Sequence, residues 1–136
     1  MIVLDASVIL KWIFRDEDGG ENARVYRDKH VSGEEIIAVP DLFFYEMANA
    51  LVTKTPLATK DVLEAFSLLW NFDLEVFSFG LDEFVNGIDL SRRFGISFYD
   101  ASYIELARRL KCHFITADRK LFEKVKGLRE VKLLKN

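Results

Sequence analysis

The chain has 136 residues, half of them apolar and 30% charged, a balance that builds a packed core and excludes a disordered chain. Its net charge of −3 is unevenly divided: residues 1–90 hold 7 Lys+Arg against 17 Asp+Glu, and residues 91–136 hold 12 against 5. No apolar run approaches the roughly 18 residues that a membrane helix needs, and the one cysteine, Cys112, cannot close an internal disulfide.

The length suits a single domain over residues 1–136. Asp5 interrupts the apolar start and no basic residue precedes it, so the N-terminus is a poor secretion signal. With a lone thiol, this points to a reducing cytoplasm. The basic C-terminal third suits a face that meets phosphates, although a Lys/Arg-rich helix surface would look the same.

Taken in order, residues 2–5 predict a buried strand and "SVILKWIF" at 7–14 a short helix. "DEDGGE" at 16–21 breaks it, and a polar helix runs to about His30. "IIAV" at 36–39 is a β-branched run ended by Pro40, a second strand. Asp41 is placed to cap a helix over 42–54, and Thr59 another over 60–72. "LEVFS" at 74–78 is a third strand, followed by a helix at 81–94, a break at "FGIS" and a helix at 99–111. "HFIT" at 113–116, a helix at 118–125 and "EVKLL" at 130–134 complete the chain. Strands alternating with helices predict an α/β fold: a central parallel sheet of about five strands with helices on both faces.

In such sheets ligands bind beyond the carboxyl ends of the strands. Asp5 stands at the end of the first strand and Asp118 follows "FIT" at the same rim. Asp100 opens the helix leading into that later strand. Glu46 shares a helix face with Leu42, Asn49 and Thr53 and can look toward the strand ends. Each acid alone has an ordinary reading, since Asp commonly caps helices and Glu commonly faces solvent. Together they bring three or four carboxylates to one rim, where mutual repulsion would force protonation unless a cation neutralised them. Oxygen ligands without Cys or His favour Mg²⁺ or Mn²⁺ over Zn²⁺. His30 and His113 have no ligand spacing, and no phosphate-binding glycine loop or nucleophile elbow is present.

"VLDASVIL", "PDLFFYEMANAL", "FYDASYIELA" and "FITADRKLF", in that order, resemble the PIN-domain ribonucleases, nearest to the VapC-type toxins of toxin–antitoxin pairs. The resemblance implies the three-layer α/β/α PIN fold. It matches Asp5, Glu46, Asp100 and Asp118 to the family's acidic metal-site residues. Ser7 and Thr116 match its accessory polar positions, and Asn49 an asparagine one turn past the glutamate. The middle, about 55–95, carries no motif. A metal-dependent endoribonuclease follows, with Mg²⁺ or Mn²⁺ as cofactor. Asp5 and Asp118 are expected as direct ligands, Asp100 directly or through water, and Glu46 as the group completing the shell or orienting the attacking water.

An acidic pocket repels RNA, so cations must stand beside it. Arg92, Arg93, Arg108, Arg109, Arg119 and Lys120 are the candidates. The helix at 60–72 is apolar around most of its circumference, which predicts a homodimer. The resemblance also implies an antitoxin that silences the enzyme. It would seat an apolar stripe between the Phe-rich helices at 7–14 and 42–54 and send a basic residue toward Asp5 and Asp118. Three alternatives differ in kind. A receiver-like phospho-acceptor would need paired acids after the first strand and a lysine after the last. A phosphatase with an aspartate nucleophile would need an aspartate where Ser7 stands. A non-catalytic PIN-like RNA-binding or assembly module would have no need for all four acids.

Overall fold

The computed structural model describes residues 1–14 and 17–136, so Asp16, at the start of the expected break, lies outside the described residues. Strand β1 (Ile2–Leu4) leads into helix α1 (Ala6–Ile9), which tightens into a 3-10 turn over Leu10–Trp12. There follow α2 (Gly20–Ser32), β2 (Ile37–Pro40), α3 (Leu42–Thr53), α4 (Thr59–Trp70) and β3 (Glu75–Phe77). The chain then forms α5 (Leu81–Phe94), α6 (Phe98–Leu110), β4 (Phe114–Thr116), α7 (Arg119–Val125) and β5 (Val131–Leu133).

The five strands form one parallel sheet in the order β3-β2-β1-β4-β5. Alternation along β1 feeds two cores. Ile2 and Leu4 pack with Val8, Ile9, Phe43, Met47 and Leu51 on one face. Val3 packs with Leu90, Ala101, Ile104 and Phe114 on the other. Helices α1 to α4 therefore cover one face and α5 to α7 the other, which is why β1 reads as an unbroken apolar run. This is the expected three-layer α/β/α arrangement. The chain winds outward from β1 through β2 to β3, then returns to β4 on the opposite side of β1. The winding of the chain thus reverses between β1 and β4, which stay parallel, the place where such folds open a crevice at their carboxyl ends.

Three local expectations are corrected. The helix expected over 7–14 gives way to a 3-10 turn that carries Trp12 into the core, where its indole N–H donates to the Ala23 carbonyl at 2.8 Å. Asp41 makes no side-chain cap; its backbone N–H donates to the Phe77 carbonyl at 2.9 Å, extending the β2–β3 ladder. Thr59 lies inside α4, whose cap position is Ala58.

The hairpin of α5 and α6 sets the position of Asp100. Gly95 ends α5 at φ +64°, a conformation that favours glycine, and Ser97 caps α6 through its hydroxyl. At Gly87 a Cβ would stand 2.9 Å from the ring of Phe98, which is itself stacked on Phe84 and has little room to yield. Gly87→Val should therefore cost about 1–3 kcal/mol through overpacking. Urea unfolding checks this; an unchanged midpoint would mean that the helices separate freely here.

Candidate active site

Asp5 is 6% exposed, the most enclosed of the four acids. Its carboxylate accepts from the Ser7 hydroxyl at 2.5 Å and the Thr116 hydroxyl at 2.6 Å, and from the Val8 backbone N–H at 3.3 Å. Ser7 and Thr116 also bind across the β1–β4 junction: Ser7 Oγ accepts from the Ala117 N–H and Thr116 Oγ1 from the Asp118 N–H. One small network thus fixes Asp5 and the start of the Asp118 turn together. Burial pushes the Asp5 carboxyl up to about 6, against the three hydrogen bonds and with a smaller contribution from Asp100.

Asp118 caps α7, its Oδ1 accepting from the Leu121 N–H at 3.0 Å, and is exposed at the mouth. Asp100, in the first turn of α6, is half-buried; burial and then the Asp118 charge raise its pKa, opposed by Ser97 and Lys124. Glu46 projects from α3, its Oε1 accepting from the Tyr103 hydroxyl at 2.7 Å. Burial raises its pKa, Tyr103 opposes the rise, Asp100 adds to it and Lys54 lowers it. Asp5, Glu46, Asp100 and Asp118 line a single cleft of about 310 Å³, together with Ser7, Asn49, Lys54 and Tyr103.

Among the described residues, no three acidic, His or Cys side chains are gathered tightly enough to form a finished metal cage. The donor chemistry nevertheless fits a hard divalent cation. Every acid on the cleft is an oxygen donor, no Cys or His lines it, and Asp5 is held in a site where its charge lacks a cationic partner. A carboxylate has about four acceptor positions, so the bonds from Ser7 and Thr116 leave Asp5 able to ligate.

Sequence reasoning passed over Tyr103 and Lys54. Tyr103 stands one helical turn after Asp100, and a buried tyrosine hydroxyl requires a partner. That requirement was the available signal, but its partner, 57 residues away, appears only in the fold.

The six candidate cations separate. Arg92 is exposed near the end of α5, and Arg93 pairs with Asp89 at 3.4 Å while covering the Phe94 ring. Arg119 and Lys120 follow Asp118 directly and are exposed. Arg108 and Arg109 are not brought to the cleft. They lie eight and nine residues along α6 from Asp100, roughly 12–14 Å at 1.5 Å per residue. Arg108 pairs with Glu130 at 2.6 Å, ahead of β5, whereas Arg109 pairs with Glu83 at 3.1 Å, covers the Phe77 ring and donates to the Ser78 carbonyl at 3.3 Å, just past β3.

The family model described as PIN domain matches residues 2–128. A curated relative, Ribonuclease VapC3 of Pyrobaculum aerophilum, is 30% identical over 132 residues, spanning 93% of this chain and 96% of that one. Three solved structures share the fold. The crystal structure of PAE2754 from Pyrobaculum aerophilum has a TM-score of 0.70 at 24% identity, over 98% of this chain and 90% of that one. A toxin–antitoxin complex from Klebsiella pneumoniae has a TM-score of 0.68 at 13% identity, over 97% and 96%. VapBC2 from Rickettsia felis, bound to a DNA fragment from its promoter, has a TM-score of 0.67 at 16% identity, over 98% of both chains.

Proposed function

The chain belongs to the PIN domain family, and from that premise we propose that it is a metal-dependent endoribonuclease, the toxin of a toxin–antitoxin pair. The observation that carries this reading is Asp5, buried at the β1–β4 junction with its pKa pushed up to about 6 and three further acids on the same cleft. The name of the Pyrobaculum aerophilum relative supports ribonuclease over other phosphodiester chemistry.

Asp5 and Asp118 would hold an Mg²⁺ or Mn²⁺ ion, with Asp100 beside them directly or through water. When bound, the ion would polarise the scissile phosphate and make a ligated water a nucleophile at neutral pH. Ser7 and Thr116 keep both Asp5 oxygens oriented while leaving lone pairs directed into the cleft. Glu46, whose Oε1 accepts from Tyr103, would complete the shell or orient the attacking water and take its proton. Lys54 and Asn49 line the same wall and can contact the phosphate. Purified protein should cut RNA with Mg²⁺ or Mn²⁺ and stop with EDTA; no cleavage with either metal ends the enzyme reading and leaves the non-catalytic module.

Tyr103 tunes Glu46. Tyr103→Phe removes the hydroxyl that donates to Glu46 and, with Lys54, opposes the rise in its pKa, so the acidic limb of the pH–rate profile should move to higher pH and cleavage should fall about 10-fold. An unmoved limb would remove Glu46 from the proton path.

The same reading places the protein in the cytoplasm as a homodimer with an antitoxin. No helix among the described residues is long and apolar enough to cross a membrane. The α4 surface carries Leu63, Leu68 and Trp70, each about 60% exposed, beside the Phe44–Phe66–Trp70 aromatic cluster, and suits a second copy. Light scattering at micromolar concentration should give twice the chain mass. The antitoxin would reach the cleft past α1 and α3, where Leu10, Phe44 and Tyr45 remain accessible, while Phe43 of α3 is fully buried in the core. A short neighbouring reading frame should encode it, with an N-terminal DNA-binding half and a C-terminal basic residue that meets the carboxylates. Co-expression should relieve toxicity, and failure to co-purify or to relieve it would end the toxin assignment alone.

A further inference from the structure

Much of the basic C-terminal third lies away from the acidic cleft. Strand β5 closes one end of the sheet and pairs on one side only. Along it runs a groove of about 610 Å³, bounded by α2 on one side and α7 on the other. Its floor is apolar, with Ile2, Ile115 and Leu133, and its walls carry Lys29, Lys126, Arg129, Lys132 and Lys135. Among the described residues, no carboxylate side chain lines it. Lys126 pairs with Glu123, whereas Lys29, Arg129, Lys132 and Lys135 form no ion pair among the described residues.

The groove and the cleft share no lining residue, but a hollow bordered by Ala117 and Arg119, the chain neighbours of Asp118, lies between them. Beyond Asp118, Arg119 and Lys11, the latter paired with Glu17 at 3.3 Å, border this small hollow, which shares Leu133 and Leu134 with the groove, and among the described residues Asp18 is the single acid lining it. At its far end the groove shares His113, Arg129 and Lys132 with a hollow holding Arg108 and Lys111, where, among the described residues, the one acid, Glu130, is already paired to Arg108. The path along residues 130–135 spans roughly 15–20 Å at about 3.3 Å per residue.

We propose that the β5 edge is an RNA track, a surface that holds the sugar–phosphate backbone of the substrate outside the cleft. The proposal rests on the nuclease reading for its ligand class. A cleft with four carboxylates repels the phosphates it must cut, and Arg93 and Arg109, two of the cations expected to offset this, are engaged by Asp89 and Glu83. Arg119 and Lys120 stand exposed beside Asp118, and a larger group of cations without an ion pair among the described residues, Lys29, Arg129, Lys132 and Lys135, lines the groove along β5. Its contacts would be sequence-independent and salt-sensitive, and they favour an RNA longer than the cleft itself.

The probe is a fluorescein-labelled 20-nucleotide single-stranded RNA of mixed sequence, bound to full-length protein in EDTA and followed by anisotropy over a series of KCl concentrations. Arg129→Ala/Lys132→Ala should weaken binding at least fivefold at about 0.1 M salt and reduce the slope of log affinity against log salt by roughly 1. Arg129→Lys/Lys132→Arg should stay within twofold of the unaltered protein. Arg27→Ala/Lys60→Ala, which removes the same charge elsewhere, should also stay within twofold. Both replaced track residues are exposed, and thermal melting confirms that the variant is folded. Unchanged binding by the track variant overturns the proposal, as does an equal loss in the Arg27/Lys60 control. Tighter binding of a hexaglutamate peptide than of the RNA would assign the groove to acidic protein and overturn it too. If the unaltered protein binds through these residues but cuts no RNA with Mg²⁺ or Mn²⁺, the track stands and the nuclease reading falls.

Discussion

Asp5→Asn is expected to reduce metal-dependent RNA cleavage by well over the roughly 10–100-fold that follows loss of a residue merely supporting a ligand. The same substitution should make the metal-free protein more stable. Asparagine keeps the shape and can still accept from the Ser7 hydroxyl and the Val8 N–H, but it removes a charge that burial opposes. Its NH₂ group would face Thr116, whose hydroxyl can turn toward Ser7 Oγ 3.5 Å away, so part of the gain is given back. A net increase of about 1–2 kcal/mol at pH 7.5 is expected, the opposite movement of activity and stability typical of a strained functional site. Cleavage assays and urea unfolding of one protein preparation check both halves. Equal activity removes Asp5 from the metal site; lost activity with lower stability would make it a structural cap.

The second large effect is the coupling of metal, pH and stability. An aspartate ordinarily loses its proton near 3.8, whereas Asp5 in the fold holds it to about 6. Below 3.8 both folded and unfolded chains are protonated and this group has no effect. Between the two values only the unfolded chain ionises, so folding stability falls as pH rises. Above about 6 the full penalty applies, at most about 3 kcal/mol for a shift of this size. Glu46 and Asp100 are shifted the same way and add to it. Metal-free protein should therefore lose stability between pH 4 and 7, and Asp5→Asn should flatten most of that loss. Adding Mn²⁺ at pH 7.5 should raise the melting temperature of the unaltered protein by mass action, and far less that of Asp5→Asn. A pH-independent difference between the two proteins would show that the Asp5 carboxyl is not held protonated by burial.

The order and number of elements were legible because each strand is a short β-branched or apolar run between helices with clear breaks. The unbroken apolar run of β1 and the Gly95–Ser97 stop and start signals are examples. Local capping was less legible. Asp41 looks like a cap in sequence, but its backbone N–H completes the β2–β3 ladder instead. The helix expected over 7–14 shortened because Trp12 is claimed by the core.

By itself, the sequence determined the α/β class, the four acids and their common rim, since alternation of strand and helix sends every strand end of a parallel sheet the same way. Only the tertiary structure decided which neighbours each acid would have. Thr116 meets Asp5 across 111 residues and Tyr103 meets Glu46 across 57, contacts that no local period encodes. It also decided where the positive charge went. A helix of 13 residues carries Arg108 and Arg109 away from Asp100 by its length alone, while pairing of β5 at the sheet edge gathers Arg129, Lys132 and Lys135 into one groove. Charge density is a property of the chain, but the surface on which it collects depends on which strand is left at the edge.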